Sequence, residues 1–380
     1  MKKGRIIVLD KINKKSAAAL LVNGQLHDLL IEANNNSPQP EAIYRGRTTL
    51  PMKGQNGIIL DIGNGQKAFL RNAKGIPQGT NMTVQVATHA EVGKATPVVN
   101  KLIFKSRYCI VTPDAPGLNI ARSIKDDDER ERLLEIVHEL LIDRTSKYGL
   151  IIRSSAMDVD ANAISNDIKT MLNLADSIMS QTTGEPGLIM PAPIAETRAW
   201  RDWVNPDPDE VVKESNSFEN MGIWDHIEKL KQTKSMLPNG ASMIIEPTSA
   251  FVAVDVNTGN DFSLSAGLKA NLAVARELPK QLSLRGLGGQ IIIDFAPSPK
   301  KDRKIIETAL NASFRKGNIV AGPLKQFKPT TSAPRCSNSL HVSTTDFPSL
   351  ILFSPIGDMV NTVGNPVFFI TSKALKASSA

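Results

Sequence analysis

Cysteine is nearly absent: the 380-residue chain has two, Cys109 and Cys336. Two thiols build neither a disulfide framework nor a four-ligand zinc site by themselves, so a cystine-stapled domain is excluded and a reducing compartment is expected. Long apolar runs are missing too, and no stretch approaches the roughly 20 uninterrupted residues that cross a bilayer. The basic start Met1-Lys2-Lys3-Gly4-Arg5 leads into an apolar run that Asp10-Lys11 and Lys14-Lys15 break. The later Ala17 to Val22 run is short and lacks a cleavage site. No export signal is read, and the expected location is the cytoplasm. Internal repeats and heptad arrays are also lacking, which removes solenoids and coiled coils.

What is present is a soluble, globular composition, 41% hydrophobic and 22% charged, on a chain long enough for two or three packed units. The net charge of +7 is modest, but its distribution is uneven. Residues 41–107 carry ten Lys/Arg against three Asp/Glu, and residues 263–330 carry twelve against four. Between them, residues 108–262 hold fourteen against twenty-six. Two basic stretches around an acidic middle suit a polyanion gripped at two places, although chance patchiness explains charge alone equally well.

Periodicity divides the chain further. Residues 5–31 read as short strands, and the polar segment 34–40 as a boundary. Residues 42–107 read as short strands with regular turns, Asn64-Gly65 among them, and suggest a small five-stranded barrel of the OB type. Such barrels bind single strands through backbone electrostatics and base stacking. Lys67, Phe69 and Arg71 are the candidate contacts, with Phe69 read as an exposed aromatic, although a core Phe is the better reading of that residue taken alone. Charged amphipathic helices are predicted over 126–148 and about 160–180, their apolar stripes assigned to core. Residues 184–215 form a connector anchored by Trp200 and Trp203, and 222–232 another helix. From 240 the pattern is strand, strand, a helix over about 264–283, and a strand at 290–295.

Two of these apolar strands end on an acid: Phe251-Val252-Ala253-Val254-Asp255 and Gln290-Ile291-Ile292-Ile293-Asp294. A linking helix of about twenty residues lets them lie side by side, which brings Asp255 and Asp294 to one edge. Carboxylates that close repel unless a cation or a shared proton lies between them. Mg²⁺ is the natural occupant, because it takes hard oxygen ligands and retains waters, one of which can be aimed at a phosphodiester. Asn257 shares the face of Asp255 and can orient it. Either acid alone is better explained as a helix cap or as a partner of Arg285 or Lys280; it is the pair, with the basic stretch that follows, that tips towards metal chemistry.

The run from Glu246 through Asp255 to Gly259 resembles the metal-site strand of the ribonuclease E/G family. So do Gly267-Leu268-Lys269-Ala270-Asn271-Leu272 and Leu282 to Phe295, with both acids in register. In weaker form the resemblance covers roughly 4–330. It implies an α/β, multidomain α+β fold. Residues 1–40 and 187–245 would form an RNase H-like part, 41–107 the inserted barrel, and 108–186 a sensor for the 5′ monophosphate of RNA. A DNase I-like catalytic part would span 246–332. The family's sensor uses an Arg-Thr pair after a strand like Gly149-Leu150-Ile151-Ile152; here Arg153 and Ser154 stand in that place, with Arg122 as a neighbour. A guanidinium fork with a hydroxyl suits a terminal phosphate, while pairing of Arg153 with an acid of this region is the structural alternative.

Three departures qualify the resemblance. Ile59 replaces one of the family's two barrel aromatics, leaving Phe69. The family's zinc link needs a Cys-x-x-Cys pair from each subunit, whereas Ala333-Pro334-Arg335-Cys336 offers one thiol, so no zinc and no zinc-bridged dimer are expected; self-association by other means stays open. Residues 333–380 match nothing in the family and are unassigned. The resulting expectation is a Mg²⁺-dependent endoribonuclease that hydrolyses single-stranded RNA to 5′-phosphate and 3′-hydroxyl ends in rRNA or mRNA processing or decay. Asp255, Asp294 and Asn257 would be catalytic, and Lys300, Lys301, Arg303 and Lys304 would meet the backbone unless they are a solvated helix start. The alternatives are an RNA-binding relative with weak or lost catalysis, and a Mg²⁺ phosphoesterase acting on a small substrate.

Overall fold

The computed structural model describes residues 4–32, 37–73, 75–90, 93–141, 147–181, 183–248 and 251–316, with short strands at 325–327, 339–341 and 369–372. It divides into two compact units, residues 1–23 with 34–214, and residues 24–33 with 215–380. The N-terminal apolar runs form strands β1 (Arg5–Ile12), β2 (Lys15–Val22) and β3 (Gln25–Ile31).

In the first unit the barrel consists of β4 (Ile43–Met52), β5 (Gly57–Asp61), β6 (Lys67–Arg71), β7 (Asn81–Val86) and β8 (Thr96–Val99). The order β4-β5-β6-β8-β7 closes through β7 onto β4, with β6 and β8 parallel. A closed five-stranded barrel of this order is compatible with an OB-type domain. The β5–β6 turn is of type I′: Asn64 and Gly65 both have positive φ, 52° and 72°, and Gln66 N–H bonds Gly63 O at 2.9 Å. Alternate residues, among them Ile58, Leu60, Ala68, Leu70 and Val84, fill the barrel core.

A four-stranded sheet follows, built from β9 (Phe104–Lys105), β10 (Cys109–Pro113), β11 (Gly117–Ile120) and β12 (Tyr148–Ile152) in the order β11-β12-β10-β9. Helices α1 (Asp127–Leu141) and α2 (Ala161–Met179) supply its core. Leu133 and Val137 of α1, and Ile164, Ile168, Leu172 and Ala175 of α2, are buried, as the stripes predict. Asp160 caps α2 by accepting from the Asn162 and Ala163 N–H groups. Strand β13 (Gly187–Met190) adds to β4, helix α3 (Ala195–Asp202) follows, and β14 (Glu210–Val212) lies parallel to β1, which is antiparallel to β2. The expected two-tryptophan anchor is a single residue: Trp203 is buried, while Trp200 lies on the solvent side of α3 at 40% exposure.

The second unit contains α4 (Ser217–Asn220), α5 (Ile223–Lys231), β15 (Lys234–Met236), β16 (Ser242–Pro247), β17 (Val252–Asn257), α6 (Ala266–Arg285), β18 (Ile291–Phe295) and α7 (Arg303–Lys316). Its sheet runs β15-β16-β17-β18, and residues Phe369–Ser372 add a strand parallel to β18. Val252, Val254 and Val256 of β17, with Ile291 and Ile293 of β18, pack with Val274 and Leu278 of α6 and with Leu310 and Phe314 of α7. The alternate positions 253, 255, 257, 292 and 294 occupy the opposite face and are partly or fully accessible. Among the described residues no helix is long and apolar enough to cross a membrane.

Candidate active site and RNA-contact surfaces

The two acids meet as direct partners. Strands β17 and β18 are parallel, and their register sets Asp255 opposite Asp294. Neighbouring strands lie about 4.8 Å apart, so both carboxylates rise from one face at one level. Asn257, two residues on, donates its Nδ2 hydrogen to Asp255 Oδ2 at 2.8 Å. The side chains offered as structural alternatives have other partners: Lys280 pairs with Glu277 at 2.6 Å, and Arg285 bonds Ser235 Oγ at 3.0 Å and Gln232 O at 3.1 Å.

Two further residues, not assigned a role from sequence, hold the segment after Asp294. Asn271 of α6 is fully buried; its Nδ2 donates to Ala296 O and its Oδ1 accepts from Ala296 N–H, both at 2.9 Å. Gly267 approaches so closely that an added Cβ would lie 1.9 Å from Pro297 O. Both lie in the Gly267 to Leu272 segment, so the signal was present but its geometry was not. Asn271→Ala strands a buried N–H and C=O two residues beyond Asp294. A loss of about 2–4 kcal/mol in urea unfolding is expected, and a loss below 1 kcal/mol would dismiss the clamp.

Among the described residues, no group of three or more His, Cys, Asp or Glu is placed to hold a metal ion. The donor set at the acids is two carboxylates with one amide beside them. That suits a hard cation that keeps most of its waters, as Mg²⁺ does, and not a closed four-ligand zinc site. Cys109 is fully buried, and burial outweighs the Ser106 hydrogen bond to push its thiol up to about 12. It is therefore a packing residue. Cys336 lies outside the described residues.

On the barrel, Lys67, Phe69 and Arg71 alternate onto the outer face of β6, with both cations exposed. Phe69 is half-buried, not open as expected, because its ring covers Gly57, where an added Cβ would lie 2.5 Å from the ring. Its cross-strand partner is Ile59. Lys300, Lys301 and Lys304 are exposed at the start of α7, with Arg303 partly so. Lys301 and Lys304 join Arg276, Leu272, Ile305 and Thr308 around a shallow cavity of about 590 Å³.

The sensor candidates follow the ends of two parallel strands in the chain. Ile120 of β11 is the register partner of Ile152 of β12, so exposed Arg122 and partly exposed Ser154 leave the sheet at one edge. Arg153 is engaged: Nη2 pairs with Asp202 at 3.0 Å, and Nη1 donates to Ser106 O and, at 3.2 Å, to Arg201 O. Asp202 also pairs with Arg201, whose fork binds Glu41. Burial alone would raise the Glu41 and Asp202 carboxyls; hydrogen bonds and charge from Arg201 outweigh it and lower both, with Lys105 assisting at Glu41 and Arg153 at Asp202.

A mixed α/β chain thus combines a closed, OB-compatible barrel with paired carboxylates on adjacent parallel strands. The sequence profile of the ribonuclease E/G family matches residues 104–217 and 210–321, more than half of the chain, and the protein belongs to that family. It is 25% identical over 401 residues to ribonuclease E of Buchnera aphidicola subsp. Schizaphis graminum, across 89% of this chain and 41% of that protein. With ribonuclease E of Escherichia coli K12 it shares 25% over 369 residues, 81% of this chain and 34% of the other. With ribonuclease G of the same strain it shares 24% over 359 residues, 76% and 71%. The chain thus spans well under half the length of the ribonuclease E relatives.

Proposed function

We propose that this chain is a metal-dependent endoribonuclease that hydrolyses single-stranded RNA to 5′-phosphate and 3′-hydroxyl ends, in the processing or decay of rRNA or mRNA. The observation that carries this is the register of Asp255 with Asp294, with Asn257 bonded to the first. A Mg²⁺ ion held there would polarise the phosphodiester and lower the pKa of attacking water. Asp255 and Asp294 bind, Asn257 fixes the Asp255 rotamer, and the Asn271 clamp holds the backbone beyond Asp294. The family membership and the ribonuclease names of the relatives support the same activity. The RNase H-like and DNase I-like parts and the boundaries set out above belong to this proposal, as does a cytoplasmic location.

Lys67 and Arg71 steer the strand along β6, and Lys300, Lys301 and Arg303 hold backbone phosphates. Each cation lost from Lys67 or Arg71 should lower the slope of log affinity against log salt by about 0.7, the single-strand value, with little change in sequence preference. An unchanged slope in the double alanine variant would remove the barrel from the RNA path.

Arg153, Ser154 and Arg122 read a 5′-terminal phosphate, which must share or displace the Asp202 contact. The test is cleavage of one A/U-rich oligomer carrying either a 5′ monophosphate or a 5′ hydroxyl. Internal cutting with Mg²⁺, faster on the monophosphate, is expected, and the paired variants Arg122→Ala and Ser154→Ala should bring the two rates together. Equal rates in the wild type would discard the sensor; binding without cutting would leave an RNA-binding protein.

A further inference from the structure

The loop leaving the Asp255 strand, residues 258–265, carries the two most exposed large apolar side chains among the described residues, Phe262 at 93% and Leu264 at 105%. By contrast the barrel's Phe69 is half-buried over Gly57 and paired with Ile59. Because β17 and β18 are parallel, the loops after both emerge at one edge, beyond Asp255 and Asp294. Ligands of such sheets gather outside the carboxyl ends of the strands.

Several contacts brace this loop. Gly259, at φ 65°, is packed so tightly that an added Cβ would lie 2.1 Å from Gly240 O. Asp261 accepts from Ser263 N–H at 2.9 Å and pairs with Lys269 of α6 at 3.3 Å, so the residues on both sides of Phe262 are tied to each other and to the helix. A lone exposed apolar side chain needs no explanation. A ring presented to solvent seven residues beyond a metal-suited acid, between two residues that both bond the ammonium of Lys269, is a pre-formed face for a flat apolar group on an anionic chain.

We propose that Phe262, flanked by Leu264, stacks an unpaired base of the RNA next to the scissile phosphodiester, and so sets which nucleotide is accepted there. The proposal rests on the nuclease reading above. Stacking supplies affinity that the barrel, with one half-covered aromatic, supplies weakly, and it locates that affinity beside the acids.

The test uses the full chain and short A/U-rich RNAs with 2-aminopurine at successive positions. Binding is read by quenching in an Asp255→Asn background, and cleavage in the otherwise wild-type chain. Quenching confined to one or two positions beside the cut bond is expected, abolished by Phe262→Ala and kept by Phe262→Tyr. kcat/KM should fall about 5- to 150-fold in Phe262→Ala, the range of one lost stacking contact, with a changed preference at that position. Unchanged quenching and cleavage in Phe262→Ala, while the wild type still cuts RNA, overturns the inference and leaves the nuclease reading standing. Folded wild type that neither binds nor cuts RNA removes both. If Phe262→Ala instead dissociates an oligomer and leaves quenching intact, the side chain belongs to a contact between copies and the base-stacking assignment fails.

Discussion

Asp255→Asn is expected to lower RNA cleavage by a factor on the order of 10³ or more, the several kcal/mol that a metal's charge stabilisation contributes to the transition state. RNA affinity should hardly change. A second readout is independent of turnover. Asp255 and Asp294 sit opposite each other on adjacent strands, so a cation held there would draw on both side chains. Mg²⁺ should stabilise the wild type, by about 2.7 kcal/mol at a hundredfold excess over its Kd, and the variant far less. Asn257→Ala, which removes only the orienting hydrogen bond, should cost about 10- to 100-fold in activity or metal affinity. Equal Mg²⁺ stabilisation of wild type and Asp255→Asn would place the ion elsewhere.

The elements around this site were legible because their signals are local. Apolar runs of five or six residues and a long apolar-faced helix fixed β17, α6 and β18 to within a few residues, and a twenty-residue crossover permits the parallel pairing that aligns the acids. The Asn-Gly turn at 64–65 was equally readable, since few residue pairs accept two positive φ values. What escaped depends on distant partners. Asn271 reads as an ordinary polar helix residue until its amide meets Ala296 across 25 residues. Trp200 and Trp203 are three apart in sequence and differ in exposure because α3 ends between them. Phe262 carries no pattern that separates a displayed ring from a buried one. Arg153 fits a phosphate site by sequence, yet Asp202, 49 positions away, already holds it.

A further stability effect should come from Arg201, which joins that same contact to Glu41, just before the first barrel strand. Its side chain is 8% exposed, and its fork meets Glu41 at 2.6 and 3.0 Å and Asp202 at 2.8 Å. Arg201→Met nearly keeps the volume and removes the charge, leaving Glu41, with its side chain 24% exposed, and Asp202, 34% exposed, short of their main partner. Breaking a fully buried pair costs about 3–5 kcal/mol, and solvent screening at these partly exposed carboxylates reduces that. Lys105 still reaches Glu41 at 3.3 Å and Arg153 still reaches Asp202, so a loss of about 1–3 kcal/mol is expected at neutral pH. The pH dependence separates this from loss of packing. In the wild type both carboxyls are lowered, so their stabilisation is complete above the unfolded carboxylate range near about pH 4 and fades as pH falls through the lowered folded values. Without Arg201, burial is less opposed and drives both upward, so the variant should be relieved by protonation as pH falls towards about 4. The stability gap measured by urea unfolding should therefore narrow from pH 7 to pH 4. A gap that stays constant over that range would mean Arg201 contributes by filling space and not by its charge.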